Sequence, residues 1–473
     1  MKSKYITGIA LLGIIISIGM TSCKVKTRYK TPEVNTENMF RDMDPADSVT
    51  IADIPWREYF KDNHLRAYIE EAINNNFDML IAAERIKQAE AALGVARAAY
   101  FPDIAVAGQV EQNRLSNADP LTGIPKDKKG LAYHTENYSL GIATSWELDI
   151  WNKIRQSKAD YAGMLNSYAG RALVQTSLIS NMVNTYYSLL ALDEQLNVTQ
   201  QMIMLMEENL VSTEALKEAG MLTGAAVEQT RAALYSTRAS VPDLKSNIRQ
   251  LENTICTLMG RKPDLIERST LPEQIVPDGL AYGIPAQMLA RRPDVYQAEL
   301  SFRSAFHLTH IARSNLYPKI TISSGILGFS TVNSLSNFFK SDHFFSSITG
   351  GITQPLFARR RLTAQLKTAK SDQQIALLTF ERRVLEAGQE VSDIMYVFTS
   401  SQEKEENRIQ QVESLNKAVY YTQELLKAGE ADYLEVLTAQ QGLLQAQLSQ
   451  INDHLQQLQA TSDLYRALGG GVE

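Results

Sequence analysis

His307 and His310 stand three residues apart in a stretch with helical spacing, so both imidazoles share one face and could hold a metal. No third ligand accompanies them. In an internal duplication described below their partners are Ala91 and Gly94, so the pair reads as structural and no metal is expected. The run Arg291-Arg292-Pro293-Asp294 could embrace an anion, yet proline followed by an acid is the ordinary opening of a helix. A third group is acidic: Glu430, Asp432 and Glu435 follow Gly429. These carboxylates would select cations if repeated around a narrow axis, or would sit at a helix start because the dipole favours acids there. No phosphate loop, nucleophile elbow or paired catalytic carboxylate is discernible. The expectation is a chain that performs no covalent chemistry and needs no cofactor.

The elements that would carry these residues are written twice. "NNFDMLIAAERIKQAEAALGVARAAYFPDI" matches "RRPDVYQAELSFRSAFHLTHIARSNLYPKI" without a gap, with Asp78 on Asp294, Ala82 on Ala298 and Pro102 on Pro318, 216 positions apart. A second block pairs Leu148 with Leu356, Ile154 with Leu362 and Val183 with Val391 at 208. A third pairs Gly220 with Gly429 and Gly260 with Gly469 at 209. The spacing changes only between blocks, as it does when two copies differ in loop length. The expected boundaries are residues 56–260 for the first repeat, 261–283 for a Pro- and Gly-rich linker, and 284–471 for the second repeat.

From Ile154 to Lys217 and from Leu362 to Lys427 there is no proline, and apolar residues step by three and four. The second copy shows a narrow seam of coiled-coil spacing: Leu377, Phe380, Val384, Ala387, Val391, Ile394, Phe398. At 1.5 Å per residue each such helix is roughly 95 Å long. Glycine ends it, at Gly220 or Gly429, and a return helix follows, carrying Leu444, Leu448, Ile451, Leu455 and Leu458 in the second copy. Each half therefore ends in a long antiparallel hairpin.

Pro102 and Pro318 mark the places where helical spacing gives way to alternation. "NYSLGIATSWELDI" alternates apolar and small or polar residues, and Phe344, Ile348, Ile352 and Leu356 do likewise. Strands are expected over about 103–112, 137–149, 319–330 and 344–357, long enough to cross a bilayer at a tilt. Four strands cannot close a barrel, and open edges cannot remain in lipid. Further copies must complete the sheet; three would give twelve strands.

The net charge of −6 gives no nucleic-acid-binding surface. Lys2 and Lys4 precede an apolar run from Ile6 to Met20, which reads as a secretory signal over residues 1–22 and not as a membrane span. The run closes in "MTSC", and this order resembles a lipobox, with Cys23 the acylated residue heading an extended segment over 23–55. Cys256 is the only other cysteine, so the mature fold has no internal disulfide.

Together, Cys23, "SWELDIWNKIR" at 145–155, "LARRPDV" at 289–295, "TQPLF" at 353–357, "AGEADYLEVLTAQ" at 428–440 and "LYRALGGG" at 464–471 resemble the outer-membrane factor family of the TolC and OprM type, its NodT-like lipoprotein branch in particular. The resemblance implies a predominantly helical fold: a long-helix α-barrel continuing a transmembrane β-barrel, completed by a homotrimer with four strands per chain. It implies a lipid-anchored outer-membrane exit duct of a tripartite pump for small molecules or drugs, docking a periplasmic adaptor and an inner-membrane transporter of the RND type. An exit duct for type I polypeptide secretion shares the fold, and a periplasmic adaptor lipoprotein or a structural coiled coil of the envelope are rivals of other classes. By the same resemblance the turns at Gly220, Gly224 and Gly429 contact the adaptor and the periplasmic gate lies at Leu434 and Thr438, to which threefold repetition would add carboxylate rings of Asp432 and Glu430. OprM-like relatives close with a leucine, then an aspartate four residues on and an arginine three later. These positions are Leu434, Thr438 and Gln441 here, so the leucine matches and the charged latch does not.

Overall fold

A computed structural model describes residues 28–36, 39–41, 50–114, 134–276, 283, 285–355 and 357–472. The signal segment 1–22, Cys23 and Leu356 lie outside the described residues, as does the loop 115–133 between the first two strands. The chain divides into residues 1–35, whose described part carries no helix or strand, and a second unit, residues 36–473.

In the second unit, helices α1 (Asn63–Asn75) and α2 (Phe77–Ala98) lead into strands β1 (Asp103–Arg114) and β2 (His134–Glu147). Helix α3 (Ile150–Glu218) runs 69 residues and α4 (Gly224–Leu258) returns along half of it. The second repeat follows: α5 (Pro293–Ser314), β3 (Lys319–Val332), β4 (Ile348–Thr353), α6 (Arg361–Ala428) and α7 (Tyr433–Ala467). The seam expected on α6 is largely buried, with Phe380, Val384, Ala387, Val391 and Phe398 in the interior.

The strands depart from expectation at their ends. β1 and β2 reach further into the loop, and β2 stops at Glu147 because Asp149 caps α3 through the Asn152 N–H. The strand expected over 344–357 is broken: Phe344–Phe345 pairs with one part of β3 and Ile348–Thr353 with another. It ends before Pro355, which has no N–H to offer a ladder.

The sheet is antiparallel throughout, in the order β1-β2-β3-β4, with Val106 opposite Ile142 and Ile142 opposite Leu327. One face is an apolar row open to its surroundings: Val106 is 78% and Ile352 72% exposed. At the loop end Phe329 gathers Phe338, Phe339 and Phe344 within 6.3 Å. At the helical end Trp146 donates its indole N–H to the Tyr100 carbonyl, 3.1 Å away.

Helix α3 is the central element. Met182, Val183, Tyr186, Leu189 and Leu190 are fully buried where α1, α5 and α7 pack against it, each worth about 1.5–3 kcal/mol of transfer free energy. The stretch expected as a linker is a strap. Arg268 pairs with Asp193 on α3 (2.5 Å) and Glu252 on α4 (2.7 Å), and Tyr68 donates to the Glu267 carbonyl at 2.7 Å.

The two repeats share a joint. In the first, Asn76 caps α2 and donates through Nδ2 to the Leu258 carbonyl at the end of α4, 2.9 Å away. In the second, Arg292 occupies the matching place and donates to the Ala467 carbonyl at the end of α7, also at 2.9 Å. Gly260 and Gly469, both left-handed, let the Asn75 carbonyl oxygen and the Arg291 Cβ approach to distances a Cβ would forbid.

Asp62 ties the top of this core together. One carboxylate oxygen caps α1 through the His64 and Leu65 N–H groups, and the other accepts from Tyr186 (2.9 Å) and Gln274 (3.0 Å). Burial alone would raise its pKa, but hydrogen bonds from Ser269, Leu65, Tyr186 and Gln274 outweigh it and hold the carboxyl below its ordinary value near 3.8. A depressed carboxylate stabilises the fold above the unfolded-state pKa, and this contribution is lost as pH falls through the folded-state pKa. Asp62→Asn should therefore cost about 1–2 kcal/mol at pH 7. Urea midpoints should show the gap to wild type closing below pH 3.8, and a constant gap would refute the assignment.

Candidate functional site

At the far end from the sheet, the two glycine turns meet. Gly220 (φ 74°) lets the Met221 N–H reach the Leu216 carbonyl at 2.9 Å, and Gly429 (φ 76°) lets the Glu430 N–H reach Leu425 at 2.9 Å. A Cβ on Gly429 would lie 2.9 Å from the Met221 methyl, so the turns touch. Gly224 has a different role: it opens α4, capped by Thr223 through the Ala226 N–H.

The four helices near the tip share one core of Met202, Met206, Leu234, Val419, Ala439 and Leu443. The α3–α4 hairpin is also clamped by charge, Arg231 to Glu214 at 2.7 Å and Arg238 to Glu207 at 2.5 Å. On α6–α7, among the described residues, the interhelical ion pair nearest the turn is that of Arg408 with Asp453 (3.0 Å), some 30 Å away counted at 1.5 Å per residue. Tyr433 joins the hairpins by donating to Gln229 Oε1 at 2.6 Å.

Leu434 is 52% exposed at the start of α7, and Thr438 and Gln441 continue the same exposed stripe. The Thr438 hydroxyl donates to the Leu434 carbonyl at 2.8 Å, so it is satisfied within its own helix. Asp432 caps α7, its carboxylate accepting from the Leu434 N–H at 3.4 Å, while Glu430 is exposed in the turn. Asp432 thus has a structural task beside any electrostatic one. Sequence reasoning missed a polar contact inside the tip: Asn209 on α3 donates to buried Gln440 on α7 at 3.4 Å. Nothing in either residue's local pattern announces a partner so distant in sequence.

The other residues singled out by chemistry lie near the sheet or at mid-height. His307 and His310 are buried against Phe306, and burial with Lys158, Arg303, Arg155 and Arg313 nearby pushes both pKa values down to about 4. They are neutral imidazoles among cations. Arg292 does bind anions, but they are its own: Asp294 at 2.8 Å and Glu390 on α6 at 2.7 Å.

Two surfaces remain uncovered. Within each repeat the short helix packs on the long one, and across repeats α5 and α7 pack on α3. The counterparts of these last contacts, α2 and α4 against α6, are not packed together in one chain among the described residues. Accordingly α6 leaves Ile375, Leu378, Leu385 and Tyr396 exposed, Tyr396 at 76%. The sheet has the same gap, because among the described residues β1 pairs only with β2 and β4 only with β3.

Comparison with known proteins agrees with this architecture. The chain is 28% identical over 423 residues to the pyoverdine export outer membrane protein OpmQ of Pseudomonas putida, covering 89% of each. It is 28% identical over 421 residues to the probable outer membrane lipoprotein SilC of Salmonella typhimurium, covering 89% of this chain and 88% of that one. The solved outer-membrane channel OprN superimposes with a TM-score of 0.86 at 25% identity, covering 95% of this chain and all of that one. The model of the outer membrane efflux protein family matches residues 68–261 and 284–470, the two repeats in turn, and the chain belongs to that family.

Proposed function

We propose that this outer membrane efflux protein is one third of a homotrimeric exit duct, lipid-anchored through Cys23, that conducts small molecules passively from a periplasmic adaptor and an inner-membrane transporter of the RND type. The observation that carries the trimer is the double vacancy. Among the described residues a long helix lacks the partners its twin possesses, and the apolar-faced sheet has two unpaired edges, on β1 and on β4. Cyclic repetition satisfies both at once, since α2 and α4 of one copy can cover α6 of the next while β4 pairs with β1. Edges open to hydrocarbon would each leave a row of backbone groups unbonded. Three copies supply twelve strands, a size that encloses water.

The constriction is assigned to the exposed stripe headed by Leu434, with Asp432 and Glu430 forming acidic rings and Thr438 lining the wall. The touching turns at Gly220 and Gly429, with Gly224 beside them, are the adaptor contact. Relatives named for pyoverdine export and for outer membrane lipoprotein character support the cargo class and the anchor.

Detergent-purified protein should run as a trimer on gels without boiling and as a monomer of one third the mass after boiling. Native mass spectrometry giving only monomer would overturn the reading. Three-state counting matters here, because a dimer or a tetramer would keep the cyclic logic and correct the number.

A further inference from the structure

Among the described residues, four other than glycine adopt positive φ: Asn333, Asn337, Arg359 and Arg360. Asparagine tolerates this region; two consecutive arginines at φ 50° and 61° do not sit there without cost. Glycine would fit the backbone better, so the side chains must supply something glycine cannot. Arg361 follows, and from Pro355 to Ser371 the chain carries five cations and no acid. All five, including Lys367 and Lys370, are exposed, and none is within ion-pairing distance of a carboxylate among the described residues. Lys367 and Lys370, three residues apart, share one side of α6 in its first three turns, and Arg360 is the residue that precedes the helix.

The duplication does not require this patch. The positions matching Arg359 and Arg360 in the first repeat are Trp151 and Asn152, and the chain there enters α3 through Asp149 at φ −87°. The order along the chain is informative: exposed Ile348 and Ile352 in β4, then Phe357 at 99% exposure, then the arginines. Apolar, aromatic and cationic residues follow one another in this order where a chain leaves the hydrocarbon and crosses the headgroups.

We infer that Arg359, Arg360 and Arg361, with Lys367 and Lys370, bind the phosphate-bearing headgroups of anionic phospholipid in the membrane leaflet on the helical side of the sheet. This rests on the reading above that the sheet spans a membrane. The guanidiniums suit phosphate oxygens in a bidentate fork, and the strained backbone holds two of them at the point where the helix leaves the strand.

The test uses full-length protein in nonionic detergent, titrated with phosphatidylglycerol or phosphatidylcholine and read by native mass spectrometry. Wild type should prefer phosphatidylglycerol at least tenfold at low salt, with the preference shrinking at high salt. The double variant R359G/R360G relieves the backbone, so it should fold at least as well, yet lose about 25-fold in phosphatidylglycerol affinity, since each cation beside an anionic surface is worth about fivefold. R359K/R360K should retain most of the preference. Undiminished phosphatidylglycerol binding by R359G/R360G would overturn the inference. So would failure of R360C to react with a water-soluble thiol reagent in lipid-free detergent, which would assign the patch to a contact between subunits. Protein that conducts in bilayers but shows no lipid preference refutes this inference alone, whereas protein that never inserts refutes the membrane reading beneath it.

Discussion

Replacing Arg292 with alanine is expected to destabilise the protein by about 3–5 kcal/mol, the cost of stranding buried charge. The guanidinium is almost wholly buried and serves three acceptors on three elements: Asp294 in its own helix, Glu390 on α6, and the Ala467 carbonyl closing α7. Burial would lower its pKa, but the two carboxylates more than compensate and raise it, while burial is likewise outweighed by Arg292 in lowering that of Asp294. Alanine strands Asp294, whose side chain is 11% exposed, without its bidentate partner and leaves the Ala467 carbonyl without its donor, while Glu390 keeps only Arg466 at 2.5 Å. Adding Asp294→Asn and Glu390→Gln should recover most of the loss, because amides need less solvation. Tryptophan fluorescence during chemical denaturation, to which buried Trp56 contributes, gives the stabilities. A loss below 1 kcal/mol would show that water already reaches the network.

Leu434→Ser is expected to raise single-channel conductance in planar bilayers by roughly several-fold, because it removes an exposed apolar side chain that repeats around the proposed axis. Unchanged conductance would move the constriction elsewhere. Asp432 requires a different substitution, since alanine would also remove the helix cap at a cost of about 1 kcal/mol. Asp432→Asn keeps the cap acceptor and deletes the charge. Selectivity for cations should fall while thermal stability holds, and preserved selectivity would assign Asp432 to capping alone. The clamps Arg231–Glu214 and Arg238–Glu207 join α3 to α4 near the tip, so the proposed opening by movement of the α6–α7 hairpin predicts that removing these clamps changes conductance less than Leu434→Ser does.

Most of the architecture was legible because it is periodic. The seam on α6 and the alternation in β2 repeat at the spacing of their own backbone, so the burying faces can be read from one segment at a time. The turns at Gly220 and Gly429 were legible for another local reason, that a left-handed residue ending a helix favours glycine. The run at Arg292 reads as a helix opening, and Arg292 is the residue before α5 with Pro293 at its first position. Its ion pair with Glu390 joins residues 98 apart in the chain, and nothing in either neighbourhood specifies the other.

The sequence by itself determined that the chain is a duplicated unit of long helices and amphipathic strands, incomplete alone, because helix and strand periods, terminating glycines and repeat spacing are local properties. Only the tertiary structure decided that the twins are unequal. Helix α3 is enclosed by its own chain while α6 is left open, the last strand is cut short, and Asp432 is committed to a helix cap. These outcomes depend on which faces meet across hundreds of residues, and free energies of packing between distant segments leave no periodic trace in either one.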